Sequence, residues 1–257
     1  MLKKLFGKEK RGGSGQATDA YLNQEFHSFS GIYPDYNTAL KAVPADRHSG
    51  YDHQVCEDMY LARLHSISIS DFPALVWLMK LLASGQTLFD LGGNIGVSYS
   101  AFSKYLEYPE ELRWLVCDVP AVIAFGKQLA QKKPDNRLEF TSDLSKMSGF
   151  DILYAAGSIH YLPQTLPELL AETNNPPKQI LINTTPFHDS MSFYTLQDIK
   201  TTVCPYRVDN IMEFLSAMAD LGYQSIDSWK DPTRQLRIDG KSEYDVLNYW
   251  GIYLKRG

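Results

Sequence analysis

From residue 86 onward, short apolar runs alternate with longer amphipathic stretches, and no other feature of the chain restricts its fold as strongly. Runs at 86–91, 113–118, 137–141, 150–155 and 178–183 are rich in apolar residues, as parallel strands are when helices cover both faces of their sheet. Segments 97–108, 120–133 and 163–173 read as the crossover helices, the second opened by Pro120, whose fixed φ suits a first helical position. Residues 184–208 carry no clear period and read as a long connection. A helix over 209–221, stopped by Gly222, and two final strands at 223–230 and 247–255 complete the pattern. The expected architecture is a doubly wound, mostly parallel seven-stranded α/β sheet spanning residues 86–257.

Residues 18–85 read as an N-terminal helical and irregular cap. From Tyr21 to Arg47 aromatic residues mix with Gly31, Pro34 and Pro44, and neither a helical nor a strand period persists. A helix is expected over 53–65, and a second begins at Ser70-Asp71-Phe72-Pro73, with Leu75, Leu78, Met79 and Leu82 as its apolar stripe and Gly85 as its stop. Residues 1–17 form a tail: Lys3, Lys4, Lys8, Lys10 and Arg11 stand against Glu9 alone, followed by a Gly/Ser linker. A solvated tail is the expectation, and contact of residues 1–11 with an anionic membrane surface is its alternative.

The net charge of -5 argues against a nucleic-acid binder, which needs a basic surface to displace counterions from phosphates. No apolar run is long enough for a spanning helix or a secretory leader, so a cytoplasmic protein is expected. Cys56, Cys117 and Cys204 lie far apart, and His27, His48, His53 and His65 have no metal-ligand spacing; no metal site is expected.

In an open α/β sheet the ligand crevice lies beyond the carboxyl ends of the strands, where the strand order reverses. The first strand ends in Asp90-Leu91-Gly92-Gly93-Asn94-Ile95-Gly96, directly before a helix. Glycines let the backbone turn tightly and approach a ligand that a Cβ would exclude. The spacing fails the dinucleotide template, which would need glycines at positions 94 and 97, and no Gly-Lys-Ser/Thr follows to make a P-loop. What remains is D-x-G-x-N-x-G over Asp90, Gly92, Asn94 and Gly96. The second strand ends in Asp118, placed to accept both hydroxyls of a ribose or to cap the helix opened by Pro120. Asp143 follows the third strand, within reach of an adenine edge or as a turn former.

These motifs resemble those of the class I S-adenosylmethionine-dependent methyltransferases. The glycine-rich FDLGGNIG is similar to their first motif, CDVPAVI to the Asp-Leu-Pro-x-Val segment of small-molecule O-methyltransferases, and Ser158-Ile159-His160 to the pair that closes their fourth strand. The chain, through Gly31-Ile32-Tyr33, Thr195-Leu196-Gln197 and Cys204-Pro205-Tyr206-Arg207, also resembles a family of methyltransferases encoded in bacterial surface-polysaccharide gene clusters. The resemblance implies a Rossmann-like methyltransferase fold that binds S-adenosyl-L-methionine through Asp90, Gly92, Gly93, Asn94, Gly96, Asp118 and Asp143. It implies methylation of a hydroxyl on a small molecule such as a sugar bound for the cell surface, with His160 as first candidate base. His188, after the fifth strand, is the second candidate base. Tyr161 and Tyr206 are candidates to stack on the acceptor, and Arg207 to pair with a phosphate or carboxylate on it. The rival readings are a non-catalytic module that binds the cofactor or a related nucleoside, and a nicotinamide-dependent enzyme.

Overall fold

The computed structural model describes residues 28–52, 61, 63–82, 87–132 and 134–257. The basic tail, the start of the arm, most of the helix expected over 53–65 and the stop expected at Gly85 lie outside the described residues.

The arm is ordered where no period was legible. Strand β1 (Ser28–Tyr33) leads into helix α1 (Tyr36–Lys41), whose N-cap Asp35 accepts the backbone N–H of Thr38. Helix α2 (Asp71–Leu82) starts at the expected cap and buries Leu75, Leu78 and Leu82, while Met79 faces outward. Strands β2 (Thr87–Leu91), β3 (Arg113–Cys117), β4 (Leu138–Thr141), β5 (Ile152–Ala156) and β6 (Gln179–His188) are parallel, in the order β4-β3-β2-β5-β6. Helices α3 (Val97–Phe102), α4 (Pro120–Lys132), α5 (Leu166–Ala171) and α6 (Ile211–Asp220) complete the crossovers. The capping box of Thr165 and Glu168 fixes where α5 starts.

Residues 184–208 are not an irregular connection. β6 runs on to His188, and a hairpin of β7 (Phe193–Asp198) and β8 (Val203–Asn210) follows. β1 pairs antiparallel with β7, and β8 pairs parallel with the last two residues of β6 through Phe187↔Asp209 and His188↔Asn210. Two causes hid these strands. Pro186 and Pro205 interrupt the runs, and Thr195, Gln197 and Arg207 are buried, so the apolar and polar residues do not alternate. The chain closes with β9 (Tyr223–Asp231) and β10 (Tyr249–Arg256); β10 inserts antiparallel between β6 and β9. Among the described residues the strands form one ten-stranded sheet, the expected seven extended by β1, β7 and β8.

Side chains alternate across the sheet and make a separate core on each face. Phe89, Leu91, Leu115, Leu153 and Ile180 pack beneath Leu169 of α5 and Phe214 of α6. Leu88, Trp114, Val116, Ile152 and Leu181 pack on the other face beneath α2 and α3. Helices that follow β2 and β3 therefore lie opposite those that follow β5 and β8, and the strand order reverses between β2 and β5.

Gly251 of β10 sits opposite Trp229 of β9, and the indole lies across the space a Cβ would need. The ring is fixed there because its Nε1 donates to the Ser70 carbonyl at 3.0 Å and to Asn183 Oδ1 at 3.1 Å. Gly251→Ala is expected to destabilise the fold by about 1–3 kcal/mol through overpacking, read by urea denaturation. An unchanged midpoint would show that the indole yields at little cost.

Candidate functional site

A cavity of about 910 Å³ opens at the carboxyl ends of β2 and β5, where the strand order reverses. Its wall on the β2 side is the glycine turn. Gly92 (φ +70°) and Gly96 (φ +85°) are in the left-handed region, and Asn94 (φ +59°) shares it, a conformation Asn tolerates better than most residues. This accounts for Asn within the motif. A Cβ at Gly92 would overlap Ser158, whose Oγ donates to the Leu91 carbonyl at 2.5 Å and ties the end of β5 to the end of β2. A Cβ at Gly93 would overlap the carboxylate of Asp90.

Asp90 points to the same face as Leu88, into the aromatic side of the core, and is 1% exposed. Its Oδ2 accepts Trp114 Nε1 at 2.9 Å, and its Oδ1 has no hydrogen-bond partner. Burial pushes the carboxyl up to about 7; the Trp114 bond opposes the shift and the neighbouring charge of Asp118 adds to it. Asp118 stands half-buried on the cavity wall. Its Oδ2 accepts the amide of Asn94 at 2.9 Å and its Oδ1 that of Val119 at 2.8 Å. Burial pushes this carboxyl up to about 6 against the pull of those two amides. The Asn94 bond joins the glycine turn to the end of β3, so the two motifs form one structure.

Asp143 is placed differently. Its carboxylate caps the 3-10 turn Leu144–Met147, accepting the amide and hydroxyl of Ser145 at 3.0 and 2.6 Å, while Ser142 and Leu144 line the cavity. Those two bonds hold its carboxyl below the ordinary range.

His160 lies in the 3-10 turn Ile159–Tyr161 after β5, lines the cavity and is 4% exposed. Its ring contacts Tyr161 and Tyr206, each with centroids 4.4 Å away, and its Nδ1 has no hydrogen-bond partner. Burial, then the charges of Arg207 and Arg234, hold it well below the ordinary imidazole range, so it is neutral. Tyr161 donates to Gln197 Oε1 at 2.7 Å and receives Tyr51 Oη at 3.2 Å; the Tyr206 hydroxyl pairs with that of Tyr249 at 2.8 Å. The β7–β8 hairpin thus brings Gln197 and Tyr206 over the cavity.

Arg207 and His188 are not on the cavity wall. Arg207 is buried, and its fork bonds Asp209 at 3.1 Å and the carbonyls of Ile159 at 3.1 Å and Leu162 at 3.4 Å. It braces the turn that carries His160. At the end of β6, His188 Nε2 reaches the Glu243 carbonyl at 3.1 Å, and its Nδ1 accepts the amides of Ser190 and Met191. Both ring nitrogens hold the loop.

Sequence reasoning missed Ser158 as the bolt across the switch, and also Thr184, Gln197, Arg234 and Tyr249. Thr184 (φ +53°) is a β-branched residue in the left-handed region, at the register break between β6 and β10, and it lines the cavity. No local pattern signals such a position. Among the described residues there is no group of three or more His, Cys, Asp or Glu able to hold a metal, and no helix long and apolar enough to cross a membrane.

No family model matches the chain, and no curated protein resembles it in sequence. Solved structures do resemble it in fold. The 1,6-didemethyltoxoflavin-N1-methyltransferase of Burkholderia thailandensis, crystallised with 1,6-didemethyltoxoflavin and S-adenosylhomocysteine, is 18% identical. That match covers 73% of this chain and 78% of the other, with a TM-score of 0.50. The PH0226 protein of Pyrococcus horikoshii OT3 is 14% identical over 80% of this chain and 95% of its own, with a TM-score of 0.51. The fold is the Rossmann-like α/β fold of the class I methyltransferases.

Asp90 keeps its proton between about pH 4 and 7 when folded and has lost it when unfolded, so it favours the fold at low pH. That contribution is lost as the pH rises through about 7. Asp90→Asn, which retains an acceptor for Trp114, should therefore be more stable than the wild type at pH 8 by roughly 2–4 kcal/mol. The gap should close toward pH 4. A gap independent of pH in urea denaturation would contradict this account of the buried carboxyl.

Proposed function

We propose that the chain is an S-adenosylmethionine-dependent methyltransferase acting on a hydroxyl of a small molecule. The observation that carries this reading is the pair of carboxylates, Asp90 and Asp118, joined through the glycine turn at the mouth of a cavity at the strand switch. A sugar is the acceptor class favoured by the sequence resemblance to the surface-polysaccharide family. The fold likeness to an enzyme crystallised with S-adenosylhomocysteine supports the choice of cofactor.

The residues fit that cofactor chemically. Asp118 has two amide bonds and lone pairs to spare for both ribose hydroxyls. The orphaned Oδ1 of Asp90 is an acceptor for an ammonium, which would hold the carboxyl ionised. Ser142 and Leu144, rather than the carboxylate of Asp143, flank the space beyond β4. When bound, S-adenosylmethionine supplies a methyl group on a sulfonium, open to in-line attack and needing no covalent link to the protein. The chain's own work is to hold the acceptor in line and exclude water, for which the aromatic wall of Tyr161 and Tyr206 is suited. His160, neutral and lacking a partner at Nδ1, takes the proton the acceptor hydroxyl gives up as it attacks.

Calorimetric titration of the full chain with S-adenosylhomocysteine should give saturable one-to-one binding. Affinity should weaken about tenfold per pH unit below about 7, because protonated Asp90 cannot pair with the ammonium. His160→Asn should keep that affinity and lower methyl transfer, scored on a panel of nucleotide sugars, by about 100-fold or more. An unchanged rate would remove His160 as the base. Saturable binding of NAD with none of S-adenosylhomocysteine would overturn the reading.

A further inference from the structure

After β9 the chain turns at Asp231 and carries Thr233 and Arg234 onto the cavity wall beside Tyr249. Among the described residues the Arg234 guanidinium makes no hydrogen bond, although its side chain is only 23% exposed. Its ion-pair contact is with Asp231, where Nε stands 3.8 Å from Oδ2, beyond hydrogen-bond reach. Asp231 is engaged elsewhere: its Oδ1 accepts the amide and hydroxyl of Thr233 at 2.9 and 2.5 Å, and its Oδ2 is buried without a hydrogen-bond partner. Arg207 is the contrast, with its Nε and both terminal nitrogens bonded inside the protein. A guanidinium presents five donors in a planar fork that matches the oxygens of a carboxylate or phosphate. At Arg234 that fork is partly withdrawn from water and makes no hydrogen bond, on a residue that lines the cavity.

We propose that Arg234 receives an anionic group of the methyl acceptor, a carboxylate or a phosphate, and thereby sets the acceptor's chemical class and its orientation toward His160. The inference rests on the methyltransferase reading for the word acceptor, while the anion site itself rests on Arg234 alone.

The other oxyanion that could come to the cavity is the carboxylate of the cofactor's own methionine part. Placement argues against it. The charge of Arg234 is felt at His160, Tyr206 and Tyr249, whereas the charge that acts on Asp90, beneath the glycine turn, is that of Asp118. Arg234 therefore belongs with the aromatic wall. The location has a chemical consequence. Burial first, and then the charges of Arg207 and Arg234, make His160 a weak base. An anion seated on Arg234 offsets one of those charges and so raises the proton affinity of the imidazole when the acceptor is in place.

The test uses the full chain, saturated with S-adenosylhomocysteine, titrated by calorimetry with benzoate and with phenyl phosphate, and with benzamide as the uncharged analogue. One or both anions should bind the wild type at least about tenfold more tightly than benzamide, and whichever binds identifies carboxylate or phosphate. Arg234→Gln should lose about tenfold or more in anion affinity, leave benzamide unchanged and leave S-adenosylhomocysteine affinity within about twofold. Arg234→Lys should restore part of the loss, which guards against a merely structural effect. Anions that bind no better than benzamide, or bind Arg234→Gln as well as the wild type, overturn the proposal. So does a fall in S-adenosylhomocysteine affinity with no change for the anions, which would assign Arg234 to the cofactor's carboxylate. Should the wild type bind no S-adenosylhomocysteine yet capture the anions through Arg234, the methyltransferase reading fails and the anion site stands.

Discussion

The reversal of strand order between β2 and β5 is the constraint on which the rest of this molecule depends. Helices leaving β2 and β3 pack on one face and those leaving β5 and β8 on the other, so no crossover covers the carboxyl ends of the two central strands. The gap is held at a fixed width by Ser158, which bonds the last carbonyl of β2 from just beyond the end of β5. Gly92 is required there because Ser158 occupies the space of its Cβ. The cavity at the switch is thus an outcome of chain topology, kept open by one hydroxyl and one missing side chain.

Two carboxyls at this point are placed against the ordinary preference of charge for water. Asp90 lies in the aromatic half of the core with a single hydrogen bond, and the fold accepts the cost of burying it. Asp118 is better supported, by the amides of Asn94 and Val119. A buried carboxyl with an unused oxygen on a cavity is an unfavourable element of a resting structure and a favourable one in a site for a cationic ligand. The fold alone would not establish that function, since similar sheets serve many reactions. The placement of these side chains gives the reading its content.

The cover over the cavity comes from an unusual use of β6. The strand runs on beyond its pairing with β5, and its last two residues pair with β8, extending the sheet through the antiparallel strands β8, β7 and β1. That extension delivers Gln197 and Tyr206 to the cavity and Arg207 to the turn behind it, where Arg207 fixes the carbonyls of Ile159 and Leu162. His160 is therefore held by ring contacts on its front and by an arginine clamp on its backbone. Its neutrality follows from the same enclosure, because burial and two nearby cations all disfavour a charged ring.

By itself the sequence determined the parallel core, because strands covered on both faces and crossover helices impose different apolar periods that can be read locally. It also carried the two motifs at the strand ends: D-x-G-x-N-x-G and Asp118 are local features, and they meet through the Asn94 bond. The cover was not legible. β7 and β8 bury Thr195, Gln197 and Arg207, Pro186 interrupts the end of β6 and Pro205 interrupts β8, so no period survives in the string of residues. Roles were equally beyond reach where they depend on distant partners. Arg207 and Arg234 look alike in sequence, and only the folded chain engages one with the carbonyls behind His160 and sets the other on the cavity wall, because hydrogen-bond partners far along the chain are chosen by tertiary contact.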